Sequence, residues 1–153
     1  MHLAQTASSA IGTSDLEYRM IGPPPENAPT IVMLHEGLGS AGLWGDFPDK
    51  LQAATGAGVF VYSRAGYGAS TPVKLPRPLD YMHIEALEVL PKLLDGIGFR
   101  RGLLVGHSDG ASIAAIYAGS HQDHRVRGHR ADRAAFHRRG HLGGVHRRDQ
   151  EQL

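Results

Sequence analysis

Three continuous apolar runs, each about as long as one buried strand, punctuate the chain: Thr30-Ile31-Val32-Met33-Leu34, Val59-Phe60-Val61-Tyr62 and Gly102-Leu103-Leu104-Val105. Runs without polar alternation are what a sheet covered on both faces requires. Leu16-Glu17-Tyr18-Arg19-Met20 alternates instead and predicts a half-exposed edge strand, with the turn Pro23-Pro24-Pro25-Glu26-Asn27 after it. Helical spacing fills the intervals. Trp44, Phe47 and Leu51 predict a helix over Leu43–Ala54, stopped by Gly56 and Gly58. Ile84, Leu87, Leu90, Leu93 and Leu94 predict another over Tyr81–Ile97, interrupted at Pro91. A third follows the 102–106 strand and runs to about Gly119. Strands alternating with helices predict an α/β fold, a mostly parallel sheet with helices on both faces.

Composition narrows the class. The chain has 153 residues, 41% of them hydrophobic, a net charge of +1 and no cysteine. That suits one domain and excludes disulfides and thiolate metal sites. Met1–Gly12 has neither a basic start nor a sustained apolar stretch, so no secretory signal is visible. No apolar run approaches the ~20 residues of a membrane span, and a cytoplasmic protein without membrane attachment is the expectation. Charge is uneven. Residues 1–124 carry eight Lys/Arg against twelve Asp/Glu, whereas residues 125–153 carry eight Arg against three acids. Six of the ten histidines lie between His121 and His146.

The candidate chemistry sits at Gly106-His107-Ser108-Asp109-Gly110, between an apolar strand and the small-residue helix Ala111-Ser112-Ile113-Ala114-Ala115. A sharp strand-to-helix turn of this pattern strains the central residue and lifts its side chain out of the sheet, as a nucleophilic serine needs. Glycines at 106 and 110 are predicted because a Cβ there would meet the neighbouring strand or helix.

Two further loops complete a pattern. His35-Glu36-Gly37-Leu38-Gly39-Ser40, with Trp44 nine residues after the histidine, follows one strand. Arg64-Ala65-Gly66-Tyr67-Gly68-Ala69-Ser70 follows the next. Together with the 106–110 turn, these loops resemble, over roughly residues 16–128, the N-terminal half of the α/β-hydrolase superfamily. The resemblance implies a serine hydrolase acting on ester, lactone or related acyl bonds of a small-molecule substrate, with no cofactor and no metal. Ser108 would be the nucleophile, and the backbone N–H groups of Gly37 and Asp109 would form the oxyanion hole. A serine at 108 argues against the dehalogenase and epoxide-hydrolase branches, which carry aspartate there. Glu36 and Asp109 depart from the pattern by placing carboxylates near a developing oxyanion, so both are expected to point away or find a cationic partner. His35 and His107 are read as supports of their loops rather than as bases.

The pattern breaks at residue 128. A triad on this fold runs Ser, then Asp or Glu, then His, and a further apolar strand is due after Val126-Arg127-Gly128. The chain continues instead with His129-Arg130-Ala131-Asp132-Arg133-Ala134-Ala135-Phe136-His137-Arg138-Arg139, without strand or helix period. Shifting the reading by one base permits Val-Arg-Gly-Ile-Val-Leu-Ile-Ala-Pro-His-Phe-Ile-Val-Glu-Asp over the same stretch, which supplies the missing strand. The expectation is therefore an incomplete domain over 1–128, a disordered, frame-shifted Arg/His-rich tail over 129–153, and an exposed edge beside the 102–106 strand. The triad acid and histidine are expected to be missing, with a catalytically inactive fragment as the alternative. A basic nucleic-acid arm is disfavoured because Phe136 alone could stack on bases. A His137/His141 metal pair is disfavoured by Gly140, Gly143 and Gly144.

Overall fold

The computed structural model describes residues 9–11 and 14–132. A short antiparallel ribbon of β1 (Ser9–Ile11) and β2 (Ser14–Leu16) leads into β3 (Tyr18–Ile21). The main sheet then gathers β4 (Thr30–Leu34), β5 (Gly58–Tyr62), β6 (Gly102–His107) and β7 (Val126–Asp132), in the order β3-β5-β4-β6-β7. Only β3 is antiparallel, pairing Tyr18 with Tyr62 at the edge. The other three pairings are parallel, with Leu34 beside both Tyr62 and Gly106.

Every residue of β4 and β5 is buried, which accounts for their unbroken apolar runs. One sheet face carries Val32, Leu34, Phe60, Tyr62 and Leu104. It packs against Leu90, Leu93 and Leu94 from one helical region and Ile113, Ala114 and Tyr117 from α4 (Asp109–Ser120). The opposite face carries Ile31, Met33, Val59 and Val61 beneath Trp44 and Leu51. Helices thus cover both faces, as the pattern predicts.

Three elements differ from the sequence reading. The helix expected over 43–54 divides into a single turn at Gly42–Trp44 and α1 (Phe47–Thr55). Gly45 at φ 59° breaks the path between them, and Pro48 occupies the first turn of α1, where its missing N–H costs nothing. The helix expected over 81–97 consists of α2 (Tyr81–Ile84), a widened turn over Glu85–Val89, and α3 (Leu90–Gly96). Pro91 has no N–H to donate to Leu87, and the turn before it widens.

The third difference lies at the expected break. β6 is flanked on both sides, because β7 pairs with it from Gly102↔Val126 to His107↔Asp132. The strand runs four residues past 128 despite its polar content. Strand pairing is satisfied by backbone N–H and C=O groups, which every residue except proline supplies. Among the described residues the exposed edge therefore falls at β7 and not at β6. The remainder of the tail, 133–153, lies outside the described residues, as do His137 and His141.

Candidate active site

Ser108 sits between the end of β6 and the start of α4 with φ 52° and ψ −113°. It is the one non-glycine residue with positive φ among the described residues. Such a conformation costs of order 1–3 kcal/mol and persists only where the surroundings enforce it. They do so here. A Cβ on Gly106 would stand 2.3 Å from the Gly110 backbone, and one on Gly110 would stand 2.1 Å from the carbonyl oxygen of Leu34. The helix start is thereby pressed onto the C-terminal ends of β4 and β6, and the Ser108 side chain is left exposed.

The two candidate oxyanion donors come from neighbouring segments. Asp109 opens α4, so its N–H is among the helix-start donors with no intrahelical acceptor. Gly37 approaches from the loop after β4: a Cβ built on it would be 2.7 Å from Oδ2 of Asp109. Residues 37 and 109, 72 positions apart in sequence, thus meet.

The Asp109 carboxylate does not turn away, as the sequence reading expects; it lies against Gly37 and accepts a hydrogen bond from Tyr81 Oη. A neutral phenol therefore takes the place of the expected cation. Burial, followed by this hydrogen bond and the Asp109 charge, pushes the Tyr81 phenol up to about 12, so it stays protonated and donating at neutral pH. Nothing in the sequence links Tyr81 to Asp109; only the meeting of α2 with the start of α4 does. Glu36 does find a cationic candidate, since Oε2 is 3.6 Å from Nδ1 of His107, a pairing that carries charge only when His107 is protonated.

The two loop histidines differ in their engagement. His35 is 2% exposed. Its Nε2 accepts from the Arg64 backbone N–H at 3.0 Å, and its Nδ1 donates to the Glu36 carbonyl at 2.6 Å. With both nitrogens occupied it has none left to take a proton from serine. Burial first, then the nearby Arg64 cation, lower its pKa to about 4 and keep the ring neutral. His107 packs edge-on against Trp44 and lines a cleft of about 160 Å³ with Glu36, Gly39, Ser40 and Leu43. That cleft lies beside the serine; Ser108 itself does not line it.

Arg64 and Glu85 are the residues that sequence reasoning undervalues. The Arg64 side chain, 1% exposed, donates from Nη1 to the His35 carbonyl and from Nη2 to the Glu36 carbonyl. Glu85, in the widened turn, is 7% exposed, and desolvation raises its pKa. The only sequence signal for either is the place of Arg64 at the head of its glycine-rich loop. Among the described residues there is no cluster of three or more His, Asp or Glu that could hold a metal ion, and no helix is long and apolar enough to cross a membrane.

Comparison with known proteins sets this geometry in context. Epoxide hydrolase B of Mycobacterium tuberculosis is 30% identical over 103 residues, covering 66% of this chain and 28% of that protein. The chain therefore spans well under half the length of that curated relative. A solved membrane phospholipase A, described as a novel bacterial virulence factor, superposes with a TM-score of 0.70 at 25% identity, covering 82% of this chain and 38% of its own. Est816, described as an N-acyl homoserine lactone degrading enzyme, gives a TM-score of 0.63 at 25% identity, covering 82% and 44%. A family model described as alpha/beta hydrolase fold matches residues 29–129, from just before β4 into β7. On that match the chain belongs to the α/β-hydrolase fold family.

Proposed function

We propose that the chain carries the nucleophile half of a serine hydrolase for esters, lactones or related acyl bonds of small molecules. Ser108 is the nucleophile, and the N–H groups of Gly37 and Asp109 hold the oxyanion. The observation that carries this reading is the strained backbone of Ser108, enforced by the close approach of Gly106 and Gly110. In the complete reaction a histidine removes the Ser108 proton as Oγ attacks the acyl carbonyl. The tetrahedral oxyanion collapses as the alcohol leaves, and water releases the acid from the acyl-serine by the same route. One relative is named an epoxide hydrolase. The serine at 108, where that branch is expected to carry aspartate, favours acyl substrates over epoxides.

The acid and histidine of the triad would follow residue 128 in chain order. We infer a change of reading frame near codon 128. The family match stops at residue 129. The strand slot beside β6 holds the exposed side chains His129 and Arg130, where the shifted text reads an apolar strand. With the frame changed there, the triad base is encoded beyond the change, and the chain in its present frame should react several orders of magnitude more slowly. A catalytically inactive fragment is the second reading. It is favoured by the Asp109 carboxylate against Gly37, since negative charge there opposes an oxyanion.

Resequencing the DNA across codons 115–153 and several hundred bases beyond tests the reading. One base should restore a frame with a later Asp or Glu and then His. The restored protein should hydrolyse activated esters or lactones, and Ser108→Ala should abolish that activity. A restored frame without these residues, or activity that survives Ser108→Ala, would overturn the reading. Labelling of Ser108 by an alkyl fluorophosphonate in the chain as written would count against the inactive-fragment reading.

A further inference from the structure

We infer that Arg64 is a positioning residue for the oxyanion hole, its guanidinium fork fixing the plane of the Glu36–Gly37 peptide and so aiming the Gly37 N–H. The inference rests on the proposed role of this N–H in holding the oxyanion. The Glu36 carbonyl oxygen and the Gly37 N–H belong to one planar trans peptide, where O and H point in opposite directions. Holding the oxygen therefore aims the hydrogen.

Three donors hold that oxygen: His35 Nδ1 at 2.6 Å, Arg64 Nη2 at 2.9 Å and the Gly39 N–H at 3.1 Å. The other arm of the fork, Nη1, grips the preceding carbonyl of His35 at 2.6 Å. Two successive peptide planes are thus pinned by one rigid side chain. The Arg64 backbone joins in, because its N–H donates to His35 Nε2 and so fixes the proton of that ring on Nδ1, where it is needed for Glu36. Backbone and side chain of one residue set both the loop histidine and the peptide it supports.

Charge adds to geometry. A cationic donor on a carbonyl makes a shorter, stronger bond and polarises the peptide, which strengthens the N–H at its other end as a donor. Lysine could not substitute, since two carbonyls need a planar fork. The cation is held out of water at 1% exposure. Arg64 Nε and Glu85 Oε2 are both buried without a hydrogen-bond partner among the described residues. Glu85 lies in the widened turn, close enough for the Arg64 charge to oppose the desolvation that raises its pKa. Neither residue contacts Ser108 in the hydrogen-bond pattern, so both act through the loop.

Phenylboronic acid on the full chain tests the inference. The Ser108 oxygen adds a lone pair to trigonal boron, its proton passes to buffer, and a boron-bound oxygen occupies the oxyanion position. In the wild type the amide resonances of both Gly37 and Asp109 should move on binding. If neither moves, the oxyanion assignment itself fails, and the role of Arg64 falls with it. In Arg64→Lys the boronate should bind about tenfold more weakly or worse. The Gly37 response should be lost while that of Asp109 stays, a split that a general loosening of the fold would not produce. Wild-type affinity with both responses intact overturns the inference. If Arg64→Lys does not fold, the wild type decides. A scalar coupling across the hydrogen bond from Arg64 Nη2 to the Glu36 carbonyl carbon should persist in the boronate complex, and its absence there overturns the inference.

Discussion

β4 and β7 lie on opposite sides of the same strand, β6, both parallel to it, yet they are built from opposite materials. All five residues of β4 are buried. In β7, Val126 is half-buried, while Arg127, His129 and Arg130 are exposed. The backbone ladder is formed in each case, so pairing alone does not distinguish them. The two strands differ in what their side chains stabilise. β4 contributes to both hydrophobic clusters and holds the loop of Gly37 at its end, whereas among the described side chains of β7 only Val126 packs against the core. Main-chain hydrogen bonds contribute little net free energy, and burial of apolar area contributes most. The site is therefore supported from the β4 side.

Substitutions at the two flanks sharpen the contrast. Gly110→Val should have the largest effect, because its Cβ would strike the Leu34 carbonyl at 2.1 Å and part the elbow from β4. The expected loss is at least about 4 kcal/mol, seen as the absence of a cooperative unfolding transition. A variant that melts like the wild type would contradict the close approach. Leu34→Ala, at a fully buried β4 position, should cost about 2–5 kcal/mol in urea unfolding. On the other flank Val126→Ala should cost clearly less, and equal losses would erase the distinction between the strands.

The third test uses pH. His35, just past β4, has its folded pKa lowered from 6.5 to about 4. The folded state thus prefers the neutral ring, and its contribution is fully present above pH 6.5. It is lost as pH falls toward 4, by about 3 kcal/mol. In His35→Gln the fall in stability across that window should be smaller by this amount; parallel profiles would show that His35 is not the titrating group. The smallest effect is expected on the β7 flank, where Arg130→Ala should change stability by no more than about 0.5 kcal/mol in the same assay.

Legibility in the sequence followed the same division. The β4, β5 and β6 runs were readable because strands buried on both faces leave unbroken apolar text. The elbow was readable because its two glycines are imposed by approaches of 2.3 Å or less. β7 was not readable, because a strand stabilised by backbone pairing leaves no side-chain period. The division of the 81–97 helix was only half legible. Pro91 announced the interruption, but the widened turn that absorbs it, and the burial of Glu85 there, arise from packing against α4. The Tyr81–Asp109 bond was illegible because it joins residues 28 apart that no local pattern connects.

The sequence by itself determined the order of strands and helices, the glycine-framed serine and the family, since each is written in local spacing and local backbone strain. It also marked the change of character near residue 128 through charge and histidine content alone. Only the tertiary structure decided that Gly37 and Asp109 meet, that Asp109 answers to a tyrosine rather than to a cation, and that Arg64 grips the loop before Gly37. The physical reason is the same in each case. Side chains and peptides distant in sequence acquire partners only when the sheet brings the C-terminal ends of β4, β5 and β6 together, and the strength of a buried polar contact depends on that shared exclusion of water.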